Sequence, residues 1–165
     1  MDKQTIEDLI AKFNCDDIIK CQQARRSLVK LGHEAVPYLV EALGSRKHWV
    51  RWEAAKALSQ IGDPAAILSL VKALTDKEFD VRWLAAEGLI NIGKRVVEPI
   101  LEALIDDPKS IWLREGVHHV LHDMDRGNWD GILRLVITAL EDVEPSVEVP
   151  FAAKKALDTL TSQNH

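Results

Sequence analysis

Histidines and aspartates cluster between residues 113 and 131, where the sequence reads LREGVHHVLHDMDRGNWDG. His118 and His122 lie four residues apart, so on a helix their imidazoles share one face and can bind the same cation. Two histidines need further ligands, and Asp125 is three residues beyond His122, where it could either bind the cation or cap the following turn. The cluster therefore predicts either a metal site at His118, His122 and Asp125 or a polar, solvated or interface surface.

No other catalytic arrangement stands out in the sequence. It contains no glycine-rich phosphate loop, no CxxC pair, and no nucleophile or paired carboxylates in a defined acid/base arrangement. Cys15 and Cys21 are the only cysteines, and we expect two reduced, partly buried thiols. We therefore name no catalytic residue and no cofactor, and favour a non-catalytic role while leaving an enzyme open.

The elements that position these residues are indicated by an internal repeat. The segment VRWEAAKAL, from Val50 to Leu58, returns 31 positions later as VRWLAAEGL, from Val81 to Leu89. Leu28 lies 30 residues before Leu58, and a fourth copy ends 32 residues after Leu89. A period near thirty residues with helical spacing inside it predicts a solenoid of stacked helix pairs.

A second helix follows each copy and ends in a shared pattern. These endings fall at Leu43, Leu74, Leu104 and Leu140. Glycines at positions 32, 62 and 93 are expected to end first helices, and no segment alternates as a strand would. The sequence thus predicts an all-α fold, a right-handed α–α superhelix of about ten helices. It forms one domain over 1–165, with half-repeats at 1–14 and 146–165 and repeats at 15–45, 46–76, 77–109 and 110–145.

Composition and charge narrow the class of protein. Hydrophobic residues make up 47% of the 165 positions, enough for a continuous core. A net charge of −5 speaks against a general nucleic-acid binder, although it leaves room for a local basic patch. The segment MDKQTIEDLI lacks the basic stretch and unbroken apolar run that are typical of a secretion signal, and no apolar run is long enough to span a bilayer. We expect a soluble cytoplasmic protein without a membrane partner.

Five tryptophans occur in a chain with one tyrosine and three phenylalanines. Trp52 and Trp83 occupy the same repeat position and point away from the core side of the helix, so we expect neighbouring indoles on one outer surface. Phe151 aligns with them and is the candidate to continue the row. They either cover the seams between repeats, anchor a protein partner or second copy, or stack on bases. Trp49 and Trp112 share another position and are expected to shield the start of the first helix.

The repeats resemble a known family. DKEFDVRWLAAEGLINIG, from Asp76 to Gly93, and RWEAAKALSQIGDPAAI, from Arg51 to Ile67, look like the short HEAT-like repeats of the phycobilisome (PBS) lyase type. The resemblance implies that the arginine of each first helix is structural and pairs with an acidic side chain or helix-end carbonyls of the adjoining repeat. It makes Asp76 the candidate partner of Arg82.

Proteins with such repeats include chromophore lyases, scaffolds, metal-dependent hydroxylases and DNA glycosylases, so the resemblance implies several functions. The histidines that hydroxylases carry at the start of first helices are absent, and the acidic balance and the outward tryptophans disfavour a glycosylase. We expect a non-catalytic module that binds another protein or forms a homodimer. A chromophore-lyase-like or metal-assisted accessory protein centred on the fourth repeat is the alternative. The expected binding residues lie in the outward aromatic row or on the concave second-helix face: Trp52, Trp83, Phe151, Lys72, Arg95, Glu98, Glu102 and Arg134.

Overall fold

The computed structural model describes residues 3–14, 17–125 and 131–163. These ranges contain ten α-helices and no strand. The helices are α1 Lys3–Ala11, α2 Ile18–Leu31, α3 Val36–Leu43, α4 His48–Ile61, α5 Ile67–Ala73, α6 Phe79–Ile92, α7 Val97–Asp106, α8 Ile111–Met124, α9 Ile132–Leu140 and α10 Pro145–Gln163. The all-α class and the expected number of helices are confirmed.

The first helices α2, α4 and α6 end where the glycines predict. Gly62 adopts φ +66° at the end of α4, a left-handed conformation that other residues adopt only with strain. The Asp63 side chain then accepts a hydrogen bond of 2.8 Å from the Ala65 N–H, which caps the short 3-10 helix Pro64–Ala66. Similar 3-10 helices, Gly32–Ala35 and Lys94–Val96, precede α3 and α7.

The chain divides into two compact units, one ending at Ile92 and the other beginning at Gly93. In the first unit α4 packs between α2 and α6, so first helix stacks on first helix, while α3 packs on α4 and α5 on α6. Ala54, Ala57 and Leu58 of α4 are fully buried, as the repeat predicts, whereas Val50 is only half-buried at the start of the helix.

Helix packing in the first unit is close at Gly88. A Cβ atom placed there would lie 3.0 Å from Leu70 Cδ1 and 3.4 Å from the Ser59 Cα atom. Small residues at this position therefore let α6 approach both α4 and α5.

The second unit is arranged differently. α10 packs against α9 and α7, and α8 contacts both of those helices less extensively. The repeat alignment treats α10 as the first helix that follows α8, yet its principal neighbours are α7 and α9. The position equivalent to Gly88 holds Val120, which is fully buried. Assignment of the whole chain to one domain with these repeat boundaries remains a prediction.

Arginines link each first helix to the turn before it. Arg51 Nη1 donates to the Ser45 carbonyl at 3.1 Å, and Arg82 Nη1 donates to the Asp76 carbonyl at 2.8 Å. In the second unit Arg114 Nη1 donates to a carbonyl at the same offset of six residues, that of Pro108. The arginines are thus structural, because they satisfy carbonyls that follow the preceding second helix.

The acidic partner differs from the one expected. Both carboxylate oxygens of Asp76 accept hydrogen bonds from Arg51, from Nε at 2.7 Å and from Nη2 at 2.9 Å. Arg82 instead uses the carbonyl of Asp76. The aspartate therefore reaches back to the preceding first helix, and one residue connects the arginines of two successive repeats.

Over the described residues, none of the helices combines the length and apolar character that crossing a bilayer requires.

Candidate functional site

Trp52 and Trp83 occupy equivalent positions but different environments. Trp52 is half-buried and packs against the buried cluster of Ala55, Val81 and Leu84, so it covers the seam between α4 and α6. Trp83 is exposed and lies 6.3 Å, between ring centroids, from Phe79. The seam explanation therefore fits Trp52, whereas 46% of Trp83 remains exposed.

Exposed large apolar side chains occur near the start of first helices in both units, including Ile111 and Trp112 on α8. The first unit carries the larger set. We call the following five residues, which are between 46% and 73% exposed, the aromatic surface: Ile18, Ile19, Trp49, Phe79 and Trp83. All lie in the first half of their helices. They occupy more than one repeat position: Ile19 aligns with Trp49, and Ile18 aligns with Phe79.

His48 connects the α4 and α6 parts of this surface. Its ring stacks on Trp49 with centroids 5.1 Å apart, and its Nε2 lies 2.8 Å from Asp80 Oδ1. Asp80 directly follows Phe79 in the sequence. The polar contact thus joins two successive repeats next to the exposed rings.

A groove opens beside Trp49 and Trp52. It has a volume of about 450 Å³ and is lined by Phe13, Ile18, Cys21, Gln22, Arg25, Trp49, Trp52 and Glu53; we call it the Trp49–Trp52 groove. The two indoles meet edge to face with centroids 6.0 Å apart. Two of its members, Ile18 and Trp49, also belong to the aromatic surface.

A buried ion pair forms part of the groove wall. Arg25 Nη1 donates to Glu53 Oε2, and their side chains are only 12% and 8% exposed. The guanidinium carbon of Arg25 also lies 5.6 Å from the centre of the Trp52 ring, a cation–π contact. Arg25 Nε has no hydrogen-bond partner and is the one buried side-chain polar atom in that condition among the described residues.

Sequence reasoning did not find this pair. Arg25 occupies the position of Ala55 and Ala86, and Glu53 occupies that of Leu84. A charged residue therefore replaces an apolar one at both positions, with opposite signs in successive repeats. That complementary departure is the signal that could have predicted the pair.

Cys21 also contributes to the groove. It is buried, and its Sγ donates to the Lys12 carbonyl at 3.2 Å. In the repeat alignment it stands where Arg51 stands, so in the first repeat a thiol contacts a preceding carbonyl where later repeats use a guanidinium. Cys15, the other expected thiol, lies outside the described residues.

The proposed metal ligands are only partly brought together. The His118 and His122 rings lie 5.9 Å apart, and His118 Nε2 lies 2.9 Å from Glu141 Oε1. Asp125 Oδ2 accepts from Arg134 Nη2 at 2.8 Å. Within the described ranges no three histidine, cysteine, aspartate or glutamate side chains form a group suited to a metal ion.

The other expected binding residues are accessible. Phe151 is exposed on α10. The second-helix residues Lys72, Glu98, Glu102 and Arg134 are exposed as well, and so is Arg95, which lies in the 3-10 helix before α7. They carry both signs of charge, and Arg134 is bound to Asp125.

Local contacts set the ionisation of two aspartates. Burial opposes ionisation of Asp76, but hydrogen bonds from Arg51 and from the Glu78 N–H outweigh it and lower its pKa below the ordinary value of 3.8. The pKa of Asp63 is lowered first by the Ala65 N–H and then by His33, whose Nδ1 lies 2.7 Å away. Both carboxylates therefore remain charged at neutral pH.

Comparison with solved structures relates the chain to a lyase. It is similar to a chain in the structure of the complex of CpcE and CpcF of phycocyanin lyase from Nostoc sp. PCC7120, with 26% identity and a TM-score of 0.58. The match covers 94% of this chain and 99% of that one. An engineered protein, 23% identical over 95% of this chain and 78% of its own, shares the fold with a TM-score of 0.52. Among curated proteins, none matches.

Family models identify the repeats directly. A model of PBS lyase HEAT-like repeats matches residues 81–106. A model of HEAT repeats matches residues 6–89, just over half of the chain. The chain therefore belongs to the HEAT-repeat family.

Proposed function

We propose that this chain is a non-catalytic protein-interaction module that binds a protein partner through the aromatic surface. The observation that carries the proposal is the exposure of Trp49, Phe79 and Trp83 on neighbouring first helices. Tryptophan and other large aromatic residues are enriched in protein interfaces, where burying them supplies much of the binding energy.

The surroundings of these rings fit an interface. Trp49 and Phe79 are bordered by polar groups, His48 and Asp80, which would form part of a solvent-accessible rim. The indole of Trp52 beneath them is fixed by packing against α6. A rigid apolar centre with a polar border suits a folded protein partner.

The similar lyase chain supports a protein partner, because the structure that contains it is a complex of two different proteins. The aromatic surface is favoured over the second-helix positions because those positions mix charges and include few large apolar groups. Leu68 is the main exception, being 73% exposed on α5. It provides a matched control for the aromatic side chains.

The test compares two surface variants as bait. Phe79→Ser combined with Trp83→Ser should reduce recovery of the native partner by at least about tenfold, since interface hot spots contribute about 2 kcal/mol or more each. Leu68→Ser should leave recovery unchanged. The partner identified by mass spectrometry is then titrated, as purified protein, against both variants.

Circular dichroism must first show that both variants keep the helical content of the parent chain. Full binding by the Phe79/Trp83 variant would refute the proposal. Loss of binding by Leu68→Ser alone would instead place the interface on the second helices.

The lyase likeness favours a second candidate function. This role is an accessory one in chromophore attachment, in which His118 and His122 contribute a polar or metal-binding surface. It is supported by the similarity to the chain from the lyase structure, which extends over nearly the whole of both chains. Covalent attachment of a tetrapyrrole to phycocyanin apoprotein in the presence of this chain, followed by visible absorption, tests the role. Elemental analysis of protein purified without an affinity tag tests the metal. An apoprotein that stays colourless and a preparation without stoichiometric metal would reject both versions.

A further inference from the structure

We propose that the Trp49–Trp52 groove accepts α10 of a second copy of this chain, with Phe151 and Val147 as the inserted side chains. The proposal rests on the proposed function in that Ile18 and Trp49 belong to both the groove and the aromatic surface. It goes further by naming the partner and the segment that docks.

α10 carries a ridge suited to a groove. Val147 and Phe151 lie four residues apart on one face of α10 and are 49% and 72% exposed. Val143, which precedes α10, is 95% exposed. The opposite face of α10 is occupied within its own unit, where Val149 and Ala153 are fully buried. A helix that is packed on one face and presents apolar residues at i and i+4 on another can insert them into a partner.

The groove matches this ridge in size and chemistry. Its volume of about 450 Å³ can hold a phenyl ring together with a branched aliphatic side chain. Trp49, Trp52 and Phe13 supply aromatic contacts for the Phe151 ring. The charges of Arg25 and Glu53 are paired with each other, so an uncharged side chain meets no unpaired charge there.

The charges around the two features are opposite. Five exposed basic residues lie within three positions of groove residues: Lys12, Lys20, Arg26, Arg46 and Lys47. The same stretches contain the acidic residues Asp16 and Asp17, of which Asp17 pairs with Lys20. The ridge segment contains four exposed acidic residues, Glu141, Asp142, Glu144 and Glu148, and its first exposed basic residues, Lys154 and Lys155, follow Phe151. This complementarity favours a second copy, in which the acidic ridge of one chain approaches the basic border of the other.

Each copy carries both the ridge and the groove. Two copies can exchange them in a two-fold pair, or each copy can offer its ridge to one neighbour and its groove to another, which produces rings or open chains. This property makes the proposal testable with two complementary variants.

The experiment is sedimentation velocity over a concentration series. The parent chain should grow in mass with concentration, and high salt should weaken its association. Phe151→Ser removes the ridge, and Trp49→Ser damages the groove; each variant alone should associate at least about tenfold more weakly, equivalent to about 1.4 kcal/mol. Mixing them should restore a one-to-one dimer, because the first retains its groove and the second its ridge.

Leu68→Ser is the control and should associate like the parent. A parent chain that stays monomeric, or a mixture that fails to form the dimer, would overturn the inference. The proposed function can be tested separately from self-association, because Phe151→Ser leaves the Phe79–Trp83 part of the aromatic surface intact. It should therefore still bind the native partner even if self-association is absent.

Discussion

The two units of this chain use the same repeat with different regularity. In the first, α4 lies between two other first helices, small residues permit close packing, and Arg51 is held by a carboxylate. In the second, α10 packs mainly on α7 and α9, a valine replaces the glycine, and Arg114 donates to the carbonyl of Pro108. The difference indicates that close stacking of first helices depends on a few positions, chiefly those of Gly88 and Asp76.

The regular unit also carries the aromatic surface. Stacked first helices bring equivalent positions into a row, so exposed residues on α2, α4 and α6 accumulate on one side. A surface of this kind needs the close packing beneath it. Changes that disturb the packing should therefore affect the first unit more than matched changes affect the second.

The largest difference is expected between the arginines. Arg51→Met leaves the largely buried Asp76 carboxylate without its partner, which should destabilise the first unit by about 3 kcal/mol. Arg114→Met removes a hydrogen bond to a carbonyl and should cost about 1 kcal/mol. Hydrogen exchange of the α4 and α8 amides measures each unit separately. Equal losses of protection would show that the Arg51–Asp76 pair adds no special stability.

A smaller effect is expected from Gly88→Val. The added side chain would meet Leu70 and the backbone of Ser59, and such overpacking costs about 1–3 kcal/mol. The second unit already holds a valine, Val120, at the equivalent position. Because Gly88→Val changes only the first unit, the stability of the second unit should not change. Urea unfolding followed by circular dichroism, with Gly88→Ala as the milder comparison, tests this difference. An unchanged midpoint for Gly88→Val would mean that the first unit is packed no more tightly than the second.

The third effect depends on pH. Because the folded-state pKa of Asp76 is below its ordinary value, its stabilising contribution is fully present above pH 3.8 and is lost as the pH falls through the folded-state value. Asp76→Asn should therefore lower stability at neutral pH and come closer to the parent in acid. Thermal unfolding of both proteins across an acid series measures the convergence. A difference in stability between Asp76→Asn and the parent chain that does not change with pH would exclude ionisation of Asp76 as its cause.

The sequence predicted the helices and their ends because apolar spacing and glycine positions act locally. It also predicted that Arg51, Arg82 and Arg114 are structural. It expected Asp76 to pair with Arg82, which donates to the Asp76 carbonyl, but not that the Asp76 carboxylate accepts from Arg51. Repeat spacing gives the phase of a side chain on its helix but not which of two neighbouring repeats it reaches. The pairing of Arg25 with Glu53 and the groove between their helices depend on tertiary packing across 28 positions.

The candidate surface was predicted only in part. Trp83 was singled out correctly as an outward residue, and its exposure agrees with that expectation. Trp52 was expected beside it, but the same helical position is half-buried where the neighbouring α6 presents Val81 and Leu84. Trp49 was assigned a shielding role, yet 63% of its surface is exposed. Exposure depends on what each neighbouring helix presents, which a single repeat does not reveal.

The most direct test of the account is hydrogen exchange of the native complex compared with the isolated chain. Protein interaction through the aromatic surface predicts additional protection in the first halves of α4 and α6, around Trp49 and Phe79, with no change in α5 around Lys72. Protection confined to α5 and other second helices, with α4 and α6 unchanged, would contradict it.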